Sequence, residues 1–240
     1  MSHRFAATLM TGALLLATGS TAVAESPRSA TVTLHFGTYV PQIDSQFTNA
    51  TPWDDVFGNE TMLLMGFEAG YELYKAHGVL EIDVGWRYGW IDGTALDANG
   101  DASNDQVGFN FMPFTASVRY RWDWAALRHN IPLVPYVKVG LTAALWWSTN
   151  GKDEVSNTRD ANGTGREGRG MTLGWHVGGG IQLLLDSLAP GMAADFDNDA
   201  GVNNSYLFAE ILYTDLSDFG SSTSIDLGDT AFSFGLMFEL

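Results

Sequence analysis

The sequence predicts an all-β chain that forms a transmembrane, antiparallel up-and-down β-barrel of about eight strands. Three observations predict it. Eight segments alternate apolar residues with small or polar ones, the period-2 mark of a strand with one greasy face. The connections between these segments are short at one end and long at the other. The last segment runs to the final residue, with Phe232, Phe234, Leu236, Phe238 and Leu240 on one face and Ala231, Ser233, Gly235, Met237 and Glu239 on the other.

The strands follow in order. Residues 31–40 set Val32, Leu34 and Phe36 against Thr33, His35 and Gly37. Residues 61–74 set Leu63, Met65, Phe67, Ala69, Tyr71 and Leu73 against Leu64, Gly66, Glu68, Gly70 and Glu72. Residues 79–91 alternate most cleanly, with Leu80, Ile82, Val84, Trp86, Tyr88 and Trp90 opposite Glu81, Asp83, Gly85, Arg87 and Gly89. Residues 109–124 place Phe114, Ala116, Val118, Tyr120 and Trp122 opposite Thr115, Ser117, Arg119, Arg121 and Asp123. The pattern continues through 133–147, 171–186 and 205–214, where Lys138, His176 and Glu210 share the polar face. These lengths meet or exceed the roughly 9–11 residues a tilted strand needs to cross a bilayer. An even strand number suits a single-chain bacterial barrel. Trp86, Tyr88, Trp90, Tyr120, Trp122, Trp124, Trp146, Trp147 and Tyr213 near strand ends read as interfacial girdles.

The connections then sort by side. Residues 75–78 form a tight turn and 125–132 a short link, as periplasmic turns do. Residues 41–60, 92–108, 148–170 and 215–229 are long, as extracellular loops are. Residues 187–204 break the rule. They form a long connection on the periplasmic side, where Leu188, Met192, Ala193 and Ala194 suggest a short helix across the barrel mouth.

Export is written at the N-terminus. His3 and Arg4 precede an apolar stretch from Phe5 to Thr18, and Ala22-Val23-Ala24 is a small-x-small cleavage site. Residues 1–24 are therefore expected to be a cleaved signal peptide, with 25–240 as one barrel domain. There is no cysteine, which excludes disulfides, thiolate metal sites and a lipidated Cys anchor. The formal net charge is −16; loss of Arg4 with the leader leaves 11 Lys and Arg against 28 acids. Nucleic acid is an improbable partner for such a surface.

The polar faces carry the candidate site. Glu68, Glu81, Asp83, Arg87, Arg119, Arg121, Asp123, Lys138, Glu210 and Glu239, with Glu72 and His176, should point into the lumen. About eight strands leave an interior that side chains just fill, and charges there must pair or cost several kcal/mol each. A polar plugged lumen is expected. The loops carry the second constellation. Residues 41–60, 92–108 and 215–229 each hold four acids and no Lys or Arg, while 148–170 balances Lys152, Arg159, Arg166 and Arg169 against four acids. Acidic loops beside lipopolysaccharide phosphates call for divalent cations between them. Asp97, Asn99 and Asp101 alternate oxygen donors as a calcium loop does, but Ala102 stands where an EF-hand has Gly and Gly108 where it has an acid. Asp195, Asp197 and Asp199 repeat the pattern on the periplasmic side.

Two resemblances add to this reading. The closing strand resembles the C-terminal signal of outer-membrane barrels, which assigns Phe234, Leu236, Phe238 and Leu240 to recognition by the barrel assembly machinery. Such signals usually end on Phe or Trp, and this one ends on Leu240. The chain also resembles a group of uncharacterised outer-membrane β-barrel proteins of myxobacteria and related bacteria. The matching residues are Gly37-Thr38-Tyr39-Val40-Pro41 with Asp44, Tyr120-Arg121 with Asp123, and Ile131-Pro132-Leu133-Val134-Pro135-Tyr136-Val137-Lys138 with Gly140-Leu141. Leu183 with Asp186, Gly201-Val202, Ser205-Tyr206-Leu207-Phe208 with Glu210, and Phe234-Gly235-Leu236 with Phe238-Glu239 complete them. The resemblance implies a fold and an outer-membrane location, and no activity.

The expected function is a structural or surface-interaction role for a monomer held in outer-membrane lipid and lipopolysaccharide, without a cofactor. A small-solute binding or transport barrel is the alternative. An outer-leaflet lipid enzyme is the second, and the sequence speaks against it. His35, His77, His129 and His176 lie on separate elements, with no Gly-x-Ser-x-Gly or His-x-x-x-His motif. His176 would reach Ser117 or Glu210 only if the fold brings them together.

Overall fold

A computed structural model describes residues 29–240 except 59, 98, 99, 130 and 160–164. The expected signal peptide lies outside the described residues. Eight barrel strands follow one another: β1 (Ala30–Tyr39), β2 (Met62–Lys75), β3 (Val79–Leu96), β4 (Ala102–Arg121), β5 (Leu133–Asn150), β6 (Arg169–Leu184), β7 (Asn204–Asp215) and β8 (Asp229–Glu239). Each pairs antiparallel with its chain neighbours, and β8 returns to β1 to close the barrel. The closing register runs from Thr31 opposite Glu239 to Gly37 opposite Ser233. The backbones approach so closely there that a Cβ on Gly235 would stand 1.8 Å from the Leu34 carbonyl oxygen, so only glycine fits. Closure leaves no strand edge among the eight.

The alternation seen in the sequence becomes an inside and an outside. Val84, Leu141 and Ile211 face out, each at least 60% exposed, whereas Glu81 and Arg121 face in at 0%. A water-soluble barrel would reverse this arrangement. An apolar belt around a charged interior is stable in lipid, where closed barrels satisfy every backbone group.

The structure differs from expectation at four places. First, β3 and β4 continue to Leu96 and Ala102, so most of the 92–108 connection is a ladder, with a register shift between Thr94 and Leu96. Second, 41–60 contains a 3-10 turn (Ile43–Gln46) and helix α1 (Pro52–Phe57), and the short link holds helix α2 (Trp124–His129). The 148–170 connection carries a small two-stranded ribbon, Asn157–Arg159 with Gly165–Glu167. Third, helix α3 (Pro190–Ala200) forms, starting at a Pro and ending on left-handed Gly201, but it does not cross the mouth. Its Phe196 packs edge-on against Phe238, at 6.1 Å between ring centroids, on the outer side of β8. Fourth, Trp146 leaves the girdle: it leans inward and donates to Thr172 Oγ1 at 3.2 Å.

Candidate functional site: the filled lumen

The strand register decides which charges meet. Glu81 lies directly opposite Arg119, which in turn lies opposite Lys138. Glu72 lies opposite Glu81, and Glu210 opposite Ser233. Inward glycines leave room for the long side chains. A Cβ on Gly70 would sit 2.4 Å from the Asp83 carboxylate and from Thr31 Oγ1.

Two arginines organise the network. Nearer the end with the short turns, Arg121 Nη2 reaches Glu72 Oε1 at 2.5 Å and Glu239 Oε1 at 3.1 Å, and its Nε faces Glu81 at 3.4 Å. Its guanidinium lies over the Tyr206 ring, and Asn204 donates to Glu239 at 2.5 Å. Lys75, partly exposed, closes on Glu72 at 2.5 Å. Higher up, Arg119 pairs with Glu81 at 2.8 Å, with Asp83 at 2.9 Å and closely with Glu68. Glu81 therefore bridges the two arginines. Lys138 then reaches Glu210 at 2.9 Å and Glu68 at 3.5 Å. Tyr136 and Ser233 donate to the same Glu210 at 2.9 and 3.3 Å. Arg87 stands 3.8 Å from Glu210 and 3.4 Å from His35 Nδ1.

All ten lumen residues singled out in the sequence are thus buried, and nine meet in one network; Asp123 lies buried just past β4. Seven buried carboxylates, counting Glu72, face four buried cations. Sequence reading missed Tyr136, Tyr206, Asn204 and His35 as partners, because phenols and amides on a polar face carry no charge signal. Outside the strands, partial burial raises the Asp186 carboxyl above the ordinary carboxylate range, opposed by the Ser205 N–H at 3.1 Å.

Above the charges the lumen changes character. Tyr39, Met62, Leu64, Ile91, Phe109, Phe111 and Ala144 point inward and form an apolar cluster with Leu216 and Leu227. Helix α1 lowers Trp53 into it, 5.3 Å from Phe109 and edge-on. Tyr39 stacks on Phe111 at 4.4 Å, and its hydroxyl donates to the Leu227 carbonyl at 2.6 Å. Between this plug and the network lies a cavity of about 30 Å³, touching Tyr39, Leu64, Arg87, Phe111 and Thr142. That is room for about one water. The expected polar lumen is therefore polar over only part of its height. At the opposite end, Ala126 of α2 packs with Val134, Leu184, Tyr206 and Met237.

His176 does meet Ser117, at 2.9 Å from Nε2, but Nδ1 meets Thr142 Oγ1 at 2.8 Å. Both ring nitrogens thus meet hydroxyls, where an activated serine would need a carboxylate on one of them, and His176 is fully buried. Among the described residues, no three His, Asp or Glu side chains converge as a metal site. Asp97 accepts from the Asp101 N–H at 3.0 Å and so closes the β3–β4 turn; Asn99 lies outside the described residues. Asp195, Asp197 and Asp199 fall on α3, where alternate residues point to opposite sides. In the closing strand Phe234 stacks near Phe36 at 6.1 Å, and Leu240 N–H donates to the Ala30 carbonyl at 2.8 Å.

No protein-family model matches the chain, and no curated protein matches it. Among solved structures, Neisserial surface protein A (NspA) aligns over 90% of this chain and 98% of its own, at 13% identity and a TM-score of 0.48. Ail, the attachment invasion locus protein of Yersinia pestis, in complex with the heparin analogue sucrose octasulfate, aligns over 88% and 97%, at 9% identity and a TM-score of 0.42. The backbone structure of Ail in a phospholipid bilayer nanodisc aligns over 89% and 99%, at 10% identity and a TM-score of 0.36. The barrel assignment rests on this chain's own strand pairing, lipid-facing belt and filled interior. By that geometry the protein is an eight-stranded transmembrane β-barrel of the bacterial outer-membrane type.

Proposed function

We propose that the protein is a structural, surface-presenting barrel of the bacterial outer membrane, with the short turns in the periplasm and the long loops outside. One observation carries this reading: ion-paired side chains and an apolar plug occupy the lumen, and the cavity between them is about 30 Å³. Such an interior favours holding a shape over passing a solute. The mostly acidic loops then supply the contact surface, toward lipopolysaccharide through divalent cations or toward a cationic partner. In the buried Ser117–His176 pair the second ring nitrogen meets the Thr142 hydroxyl and not a carboxylate, which argues against an enzyme. Planar-bilayer recording of the refolded protein tests the proposal. No steady conductance is expected, and a reproducible open level would overturn it.

The resemblance to uncharacterised myxobacterial barrels fits this role and adds no activity. The leader, residues 1–24, would direct export. Phe234, Leu236, Phe238 and Leu240 would present the assembly signal, three of them as an apolar stripe in β8 and Leu240 just past it. Leu240→Phe should keep or raise the outer-membrane yield and Leu240→Asn should lower it several-fold, read by heat-modifiable gel mobility of membrane fractions. Equal yields for the two variants would remove Leu240 from the signal.

A further inference from the structure

The twelve Lys and Arg residues are distributed unevenly. Arg87, Arg119, Arg121 and Lys138 are in the lumen, Lys75 and Arg128 lie at the turn end, and Arg4 and Arg28 precede the described residues. The remaining four, Lys152, Arg159, Arg166 and Arg169, all fall between β5 and the start of β6. Every cation at the loop end is thus on one flank, and the other three long connections hold only acids. With its four cations matched by four acids, this flank is the one of the four where an anion approaching from the membrane meets no net negative charge.

That flank is also grooved. Arg169 pairs in register with Trp147, and both face outward at the upper margin of the apolar belt. Trp147 stacks with Tyr88 at 6.2 Å, which places the headgroup-level aromatics here. Beneath the guanidinium, Leu145, Trp147 and Val155 floor a depression of about 530 Å³. The Arg169 side chain is 62% exposed at its rim, and its near partner is Glu167, itself 51% exposed. Lower on the same face, Phe114, Ala143 and Leu173 line a second depression of about 350 Å³. Ala116 and Leu141 then continue it into a third, of about 640 Å³, which reaches Ala69 and Val84. From Arg169 to Trp175 and Val177 the strand advances six to eight residues, roughly 20–26 Å at about 3.3 Å per residue. That is the reach of one extended acyl chain.

A second feature marks the same flank. The loop after β7 folds back on β6: Asp218 N–H donates to the Leu173 carbonyl at 2.8 Å, and Leu173 N–H donates to the Asp218 carboxylate at 2.7 Å. Asp218 and Phe219 hold φ values of 52° and 57°, a left-handed backbone that Asp tolerates and that is costly for Phe. The outcome is a Phe219 ring 62% exposed at the edge of the second depression. The ring thereby adds apolar surface to the rim of the lipid-facing depression.

We propose that the β4–β5–β6 flank binds a phosphorylated, multiply acylated glycolipid of the outer leaflet. Its phosphate sits at Arg169 and its acyl chains lie in the successive depressions beside Phe219. A phosphomonoester carries more charge than the phosphodiester of a phospholipid. Three depressions accept more acyl chain than a two-chain lipid provides. The inference rests on the outer-membrane placement proposed above.

The test uses refolded full barrels of wild type, Arg169→Gln, Glu167→Gln and Phe219→Ala. Each is checked for heat-modifiable mobility, then titrated in native mass spectrometry with bisphosphorylated lipid A, dephosphorylated lipid A and phosphatidylglycerol. Loss of one charge-assisted contact should weaken lipid A binding by about tenfold in Arg169→Gln, and dephosphorylation should weaken wild type similarly. Glu167→Gln frees Arg169 and should tighten binding by about twofold to threefold. Phe219→Ala should weaken both lipid A forms alike, by a few-fold. Equal binding of the two lipid A forms, or equal binding by wild type and Arg169→Gln, overturns the phosphate site. Phosphatidylglycerol binding as tightly as lipid A overturns the glycolipid class. A barrel that folds normally with no lipid preference sinks this inference and leaves the outer-membrane reading standing; failure to gain heat-modifiable mobility would count against the barrel itself.

Discussion

From Glu239 up to Arg87 the barrel interior holds charge; from Leu64 upward it holds rings and aliphatic carbon. Both regions fill the same eight-stranded tube, and they tolerate damage differently. In the lower region the nine networked charges have partners at fixed positions. Arg119 alone faces Glu68, Glu81 and Asp83. A buried network of this kind adds little net stability over a well-packed apolar core, but breaking it strands charges where water cannot reach. In the upper region Trp53, Phe109, Phe111 and Tyr39 gain from area removed from water and from ring packing, which falls off gradually as contacts are lost. The lower lumen is held by directional pairs; the upper lumen seals a loop.

The sharpest way to break the comparison is to remove the hub of each region. Arg119→Leu leaves three carboxylates without their shared cation and should cost about 3–5 kcal/mol. Urea unfolding in lipid vesicles, followed by tryptophan fluorescence, reads it. Adding Asp83→Leu should recover part of that loss, since the cost lies in the stranded charge. A loss below about 1 kcal/mol for Arg119→Leu would mean that water enters the network, and the lower lumen would no longer count as dry. Trp53→Ala should cost about 3 kcal/mol, but locally. Its helix belongs to a loop, so the barrel's urea midpoint should hold while backbone amides of residues 52–57 exchange on the order of a hundred times faster. A matching fall in the urea midpoint would show that the plug also supports the barrel.

The two regions were unequally legible in the sequence. Strand parity alone puts Glu68, Arg119, Glu210 and Glu239 on one face, because side chains alternate strictly. It does not say that Arg119 takes Glu81 and Asp83 while Arg121 takes Glu72 and Glu239. That follows from the stagger between strands, which the turns and barrel closure set. The plug is hidden for a different reason. Where inside and outside are both apolar, alternation vanishes: Met62-Leu63-Leu64-Met65 and Phe111-Met112-Pro113-Phe114 have no polar face. Loss of alternation confined to the loop-end third of adjacent strands was the available signal. The extension of β3 and β4 was obscured likewise, since Asp92, Thr94, Ser103 and Asp105 stand in a ladder with no greasy face. Only Pro52 hinted at α1, as a first-turn proline does.

The smallest expected effect separates packing from capping within the plug. A six-residue helix is too short to persist on its own hydrogen bonds, so α1 needs outside help. Thr51 precedes it but makes no capping bond with its side chain; its hydroxyl donates to Asp55 at 3.2 Å instead. The cap comes from a distance. The Asp44 carboxylate accepts the Trp53 N–H at 2.6 Å and the Asp54 N–H at 3.1 Å, tying the helix start to the preceding 3-10 turn. Both N–H groups belong to the first turn, where a carboxylate also opposes the helix dipole. Asp44→Ala should therefore cost about 1–2 kcal/mol of loop closure. Amide exchange in residues 52–57 should quicken by roughly tenfold, well short of Trp53→Ala, with the urea midpoint unmoved. Asp44→Asn keeps one acceptor oxygen and should fall between wild type and Asp44→Ala. If Asp44→Ala equals wild type, Trp53 holds the lid by packing alone. If it equals Trp53→Ala, the upper lumen depends on directional bonds as the lower one does, and the contrast between the two regions disappears.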